Sequence, residues 1–255
     1  MHKNDFLPTK CWFEKGKLHR AYFEYDEDRY NSPRDWDNLS IIVNASRYNL
    51  CGSKDVETNN IEEWLIKETG INEDWYCKNY KRYGGLDGLI NKFQKEKCIA
   101  FTYLSVYDHS GICVYCGYER GWDTSAVGFA YVPKNSEEVK SYRKTSSLEE
   151  TKKWANEVLE GEIHTLDQYV RGDVYGVVNE VYDEETKEWN QVESLLGIYL
   201  DNTTSESEEK SAISYIKEYS GDAELLDEKV VLEAIENNTL DVLQGQNVLV
   251  FEEKA

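Results

Sequence analysis

The side chains able to do chemistry are few and far apart in this sequence. Cys113-x-x-Cys116 has the spacing of half a zinc site. A structural zinc needs four ligands, so His109 or the remote Cys11, Cys51 and Cys98 would have to complete it. The simpler reading is a pair of reduced core cysteines, and no metal is expected. Asp26, Asp28 and Asp37 fall at positions 1, 3 and 12 of a calcium-loop window. Position 5, however, is Tyr30, position 6 is Asn31 where the turn calls for Gly, and position 12 is a short Asp where a bidentate Glu is needed. These carboxylates are expected to cap turns and to pair with Arg29 and Arg34. His109, Asp123, Asp167 and Asp173, joined by His164, would make an acid/base or metal-dependent site if the fold brought them together. The chain has no Gly-rich phosphate loop, nucleophile elbow or HExxH to support that chemistry. Binding is therefore the first expectation and catalysis the alternative, with no cofactor.

The elements that must position these residues read as α+β. Cys11 to Tyr25 alternates apolar and aromatic residues around Gly16, as a hairpin does. A polar loop punctuated by Pro33 leads to a buried strand at Leu39–Ala45. Asn60–Thr69 has helical spacing and a terminal Gly70, and Leu86–Gln94 is a shorter helix. Cys98–Tyr107 and Val127–Val132 are rich in β-branched and aromatic residues. Ser147-Leu-Glu-Glu150 matches a capping box, and a long amphipathic helix follows it, with a kink expected at Gly161 and a stop at Gly172. Val174–Val181 and Leu195–Leu200 read as a strand pair joined by the acidic turn Asp183–Glu188. Ser211–Tyr219 and Leu225–Asn237 look helical, and Asn247–Phe251 looks like a final strand. The expected architecture is a mainly antiparallel sheet with several packed helices. A body spans residues 1–203, and a short acidic C-terminal appendage spans 204–255, beyond the polar stretch at 201–209.

Charge is distributed unevenly along the chain. Residues 1–147 hold 22 Asp+Glu against 21 Lys+Arg, whereas residues 148–255 hold 27 against 8, so nearly all of the net −20 is C-terminal. A surface of one sign repels nucleic acid and anionic membranes and speeds encounter with basic surfaces. Glu149, Glu150, Glu157, Glu160 and Glu162 on the long helix and Asp183, Glu184, Glu185 and Glu188 in the turn are the candidate partner-binding residues, with Glu206, Glu208 and Glu209 beyond them. Carboxylates one helical turn apart repeat at about 5.4 Å, so such a ridge can stand in for a row of phosphates. The competing expectation is a solvated helix face that only aids solubility. No apolar run is long enough to span a bilayer, and Met1–Asp5 lacks the apolar stretch of an export signal, so a soluble cytoplasmic protein with reduced cysteines is expected.

Five segments form an ordered series: EYDEDRYNSPRDWDNLSIIV from Glu24, RYNL at Arg47–Leu50, YDHSG at Tyr107–Gly111, GWDTSAVGFAYV at Gly121–Val132, and LDQYVRGDVYG at Leu166–Gly176. The series resembles a family of uncharacterised proteins encoded by bacteriophages and plasmids. The resemblance covers roughly residues 22–200. Cys51 stands where that family has the Gly after RYNL, and Trp122-Asp-Thr-Ser-Ala126 stands where it has WDSGQ. The resemblance implies an accessory protein of a mobile element, a class that often acts against host defence. Joined to the acidity, it suggests an inhibitor that occupies the basic nucleic-acid-binding groove of a host defence protein, as acidic antirestriction and anti-CRISPR proteins do, without binding nucleic acid or membrane itself. The alternatives are an enzyme built on His109, Asp123 and Asp167, and a structural or regulatory phage protein.

Overall fold

The computed structural model describes residues 6–27 and 31–245. Strands β1 (Lys10–Glu14) and β2 (Lys17–Tyr25) form the expected hairpin. They meet at Lys15-Gly16, both with positive φ (50° and 80°), the mirror-image turn that suits the twist of paired strands. A 3-10 turn at Pro33–Asp35 precedes β3 (Ile41–Asn44) and the two-residue β4 (Val56–Glu57). Helix α1 (Ile61–Thr69) starts where Asn60 Oδ1 accepts the amides of Glu62 and Glu63, and it ends at Gly70 in the left-handed region. Next come α2 (Glu73–Tyr83), α3 (Gly85–Lys97), β5 (Cys98–Asp108), β6 (Ile112–Cys116), β7 (Thr124–Pro133) and the short α4 (Glu137–Tyr142). The capping box forms as expected: the Glu150 amide donates to Ser147 Oγ (3.2 Å) and the Ser147 amide to Glu150 Oε2 (2.8 Å). Helix α5 (Leu148–Arg171) then runs unbroken through Gly161, where a kink was expected, and stops at Gly172 with φ 91°. The hairpin of β8 (Tyr175–Asp183) and β9 (Glu188–Ile198) is followed by α6 (Ser205–Ser220), β10 (Leu226–Asp227) and α7 (Glu228–Glu236). The strand expected at Asn247–Phe251 lies outside the described residues.

The chain divides into two units, and the division is not the one expected. Tyr30–Arg171 forms a continuous unit, while Met1–Arg29 joins Gly172–Ala255 in a split unit. The boundary placed at 203/204 therefore falls inside the split unit. Its helix α6 buries Ala212 and Ile216 with Trp12, Phe23, Tyr175 and Val177, so the described part of the expected appendage supplies core to the strands. On the opposite face, Val231 of α7 is buried with Cys11, Leu18 and Tyr182. The sheet between them runs β10-β1-β2-β8-β9, all antiparallel.

The continuous unit repeats this layering. Its sheet runs β4-β3-β7-β5-β6, antiparallel except for the β3–β4 pair. On one face Ala155, Leu159, Ile163 and Leu166 of α5 pack against Leu104, Val106, Val114 and Ala130. Leu65, Tyr76, Leu89 and Phe93 of α1–α3 cover Val43, Phe129 and Tyr131 on the other. Gly128 makes the β3–β7 contact possible, because a Cβ there would lie 1.9 Å from the Val43 carbonyl oxygen. Among the described residues no helix is long and apolar enough to cross a membrane.

Candidate functional site

Two polar clusters, each including residues of the five ordered segments, lie in the continuous unit. The first is buried. Ser32 caps the 3-10 turn and Asn38 holds it from the other side, its Nδ2 donating to the Pro33 carbonyl, so Arg34 is turned inward. The Arg34 side chain is 1% exposed and that of Asp55 0%. The guanidinium forks onto Asp55, Nε to Oδ2 at 2.9 Å and Nη2 to Oδ1 at 2.8 Å, and Nη2 also donates to the Ser40 carbonyl (2.8 Å). Asp55 in turn accepts the Ile42 and Gly52 amides. Glu162 reaches in from α5 to take the amides of Leu39 and Ser40, at 2.7 and 2.9 Å, with Arg34 Nη1 at 3.5 Å. Every member is satisfied, and the cluster ties the loop before β3 to α5. Gly52 lies so close to this loop that a Cβ would meet the Arg34 carbonyl oxygen at 2.2 Å.

The second cluster faces solvent at the open ends of β3, β5 and β7. Asn44 ends β3, accepting from Ser46 and donating to the Tyr48 carbonyl (2.7 Å), which sets the Arg47-Tyr48 turn. Arg47 Nη2 and the Tyr48 hydroxyl both donate to Asp108 Oδ2, at 3.0 and 2.7 Å. These contacts hold the Asp108 carboxyl below the usual Asp range, the Tyr48 hydrogen bond being the larger cause and Arg47 the second. Ser110, with φ 59°, turns the chain between β5 and β6, and the Asp108 amide donates to the Asp123 carbonyl at 2.8 Å. His109 Nδ1 thereby comes within 3.6 Å of Asp123 Oδ2, both side chains being exposed. Tyr107 lies beside His109, ring centroids 6.3 Å apart, and Trp122 projects fully into solvent.

Of the residues expected to form an acid/base site, the fold brings together only His109 and Asp123. Asp167 is engaged elsewhere, accepting the Val114 amide at 2.7 Å and pairing with Arg171 on its own helix at 3.5 Å. His164 lies on α5 with its Nε2 buried and unpartnered. Asp173 sits past the end of α5, in the split unit. Cys113 and Cys116 are three residues apart on β6, which turns them to opposite sides of the strand, and burial raises the Cys116 thiol. No group of three or more metal-ligating side chains occurs among the described residues. The calcium-like window is dispersed as well. Asp26 accepts the Gly197 amide (3.0 Å), Asp37 pairs with Lys54, and Asp28 lies outside the described residues. The expected pairing of these carboxylates with Arg34 is not made, because Asp55 and Glu162 take that side chain.

The candidate partner-binding carboxylates separate into two groups. On α5, Glu149 pairs with Lys152 (2.9 Å), Glu157 with Lys153 (3.7 Å), and Glu150 is spent on the helix cap, which lowers its pKa. Glu160 is exposed there. Glu162 leaves the expected ridge altogether for the Arg34 cluster. At the β8–β9 turn, Asp183 Oδ1 accepts the Thr186 and Glu185 amides, which hold its carboxyl below the usual range, while Glu184, Glu185 and Glu188 are exposed. By unit, the split one carries 27 acidic against 11 basic residues, and the continuous one 22 against 18. Sequence reasoning missed Arg34, Asp55 and the Arg47-Tyr48-Asp108 triad as polar centres. Arg34, Arg47, Tyr48 and Asp108 do stand inside the five ordered segments singled out in the sequence, and that was the available signal. No protein-family model matches the chain, and no curated protein or solved structure matches it either.

Proposed function

We propose that the protein acts by occupying a basic, nucleic-acid-binding site on another protein, with the acidic surface of the split unit as the contact. The supporting observation is the segregation of charge by folding unit, −16 against −4. A concentrated field steers a basic partner into encounter and excludes nucleic acid by like charge. The exposed turn residues Glu184, Glu185 and Glu188, with Glu208 and Glu209 at the start of α6, are the best phosphate substitutes, and Asp183, held by the Thr186 and Glu185 amides, shapes the turn that presents them. The α5 carboxylates Glu149, Glu150 and Glu157 are compensated locally and contribute less. The mobile-element context implied by the segment series makes the target a component of a host defence system in the bacterial cytoplasm, and the action needs no cofactor. An acid/base reading is favoured by one observation, the 3.6 Å approach of His109 to Asp123.

The test is affinity capture from host extract on the immobilised full chain, at low and then raised salt. The expected result is a defence nuclease, or its nucleic-acid-binding subunit, released as salt rises. Reversing Asp183, Glu184, Glu185 and Glu188 to Lys should weaken that interaction at least about tenfold, and His109→Ala should leave it intact. Recovery of no partner at either salt would overturn the proposal.

A further inference from the structure

Strand β9 ends its sheet, and no described strand pairs with its free side. Eight consecutive residues, Asn190 to Gly197, are exposed, although the neighbouring β8 is buried along most of its length. Among the eight are Val192 (58% exposed), Leu195 (44%) and Leu196 (46%). An open edge carrying apolar side chains is a template for another strand, and proteins that must avoid this place Lys or Pro along it. Glu188–Ile198 has neither. Two bulges interrupt the β8–β9 register, near Val192 and near Gly197, and leave Glu188–Gln191 and Glu193–Leu195 as regular stretches. The edge therefore suits a short addition of about four residues. Charge indicates what that addition carries: Glu184, Glu185, Glu188 and Glu193 flank the edge, with Lys187 the one cation between Asp183 and Ile198.

We infer that the free edge of β9 takes an extended basic segment of the partner as an added strand. Backbone amides of the segment pair with β9, its apolar side chains meet Val192, Leu195 and Leu196, and its Lys or Arg side chains meet the flanking carboxylates. This rests on the proposed binding of a basic protein and specifies how the contact is made. A second copy of the chain is a poorer occupant, because it would bring like carboxylates together.

The probe is a fluorescent nine-residue peptide of alternating Val and Lys, titrated into the full-length protein at low salt. Binding is expected, with hydrogen exchange slowed at the β9 amides and unchanged on α5. N-methylation of one alternate set of peptide amides should weaken binding at least about tenfold, and methylation of the other set should not, since only one set faces the sheet. Equal binding of both methylated peptides would overturn strand addition while leaving the acidic contact standing. No binding of any peptide at low salt would count against both. A dimer in sedimentation that the peptide fails to dissociate would give the edge to a second copy and overturn the inference.

Discussion

Arg34 with Asp55 and Arg47 with Asp108 are the same chemical pair in two settings. The Arg34 and Asp55 side chains are 1% and 0% exposed and fork onto each other; Asp55 also accepts the Ile42 and Gly52 amides, and Arg34 also donates to the Ser40 carbonyl. Arg47 is 79% exposed and touches Asp108 by a single nitrogen. Both arginines come from the five ordered segments, so membership of that series does not separate scaffold from surface. Burial does: the first pair cannot meet a partner without unfolding, whereas the second, with Tyr107, His109 and Trp122 beside it, is available to one.

The comparison is easiest to break at its buried end. Arg34→Met should cost about 3–5 kcal/mol in urea unfolding, because Asp55 and Glu162 would remain inside without their cation. A loss below about 1 kcal/mol would mean that the cluster relaxes into water and is not a scaffold. At the exposed end, His109→Ala and Asp123→Asn should each shift stability by no more than about 0.5 kcal/mol. A larger loss from either would make the loop cluster structural too. The smallest effect is in titration. Because its pKa is lowered in the fold, Asp108 contributes stability that is present above the ordinary value of 3.8 and is lost as pH falls through the lowered one. Its carboxyl resonance should titrate below 3.8, and Tyr48→Phe should move the midpoint up by removing the larger cause. An unmoved midpoint would show that the hydroxyl contact is not held in solution.

Much of the local structure was legible from the residues. The β1–β2 hairpin followed from alternation around Gly16, α1 from its apolar spacing and Gly70, and α5 from the Ser147/Glu150 box. Helix α2 was not legible, since its inward face is made of Tyr76 and Tyr83 in an otherwise polar string. Strand β6, only five residues long, was not legible around its CxxC spacing. The first half of β9 has exposed residues on both faces and so carries no alternation to detect. The polar centres were harder still. An arginine between Pro33 and Asp35 in a polar loop reads as surface, and only the three-dimensional return of Asp55 and Glu162 puts Arg34 inside. Of the expected acid/base site, whose residues were grouped because they lie in or next to the ordered segments, only the His109–Asp123 approach is made. Asp167 was misjudged because a carboxylate that pins a strand to a helix has the same sequence signature as one that moves a proton.

The split unit has a consequence for how the chain comes off the ribosome. Strand β2 pairs with β8 through contacts such as Tyr22↔Val178, so its partner emerges about 150 residues later. Until then Trp12 and Phe23, both fully buried in the finished fold, lack the Tyr175, Val177 and Ile216 that cover them. The continuous unit has all of its sequence available once Arg171 has emerged, and by folding first it shortens the loop that β2 and β8 must close. Synthesis order thus makes the acidic half of the molecule the last to assemble and the one whose early strands need shielding longest.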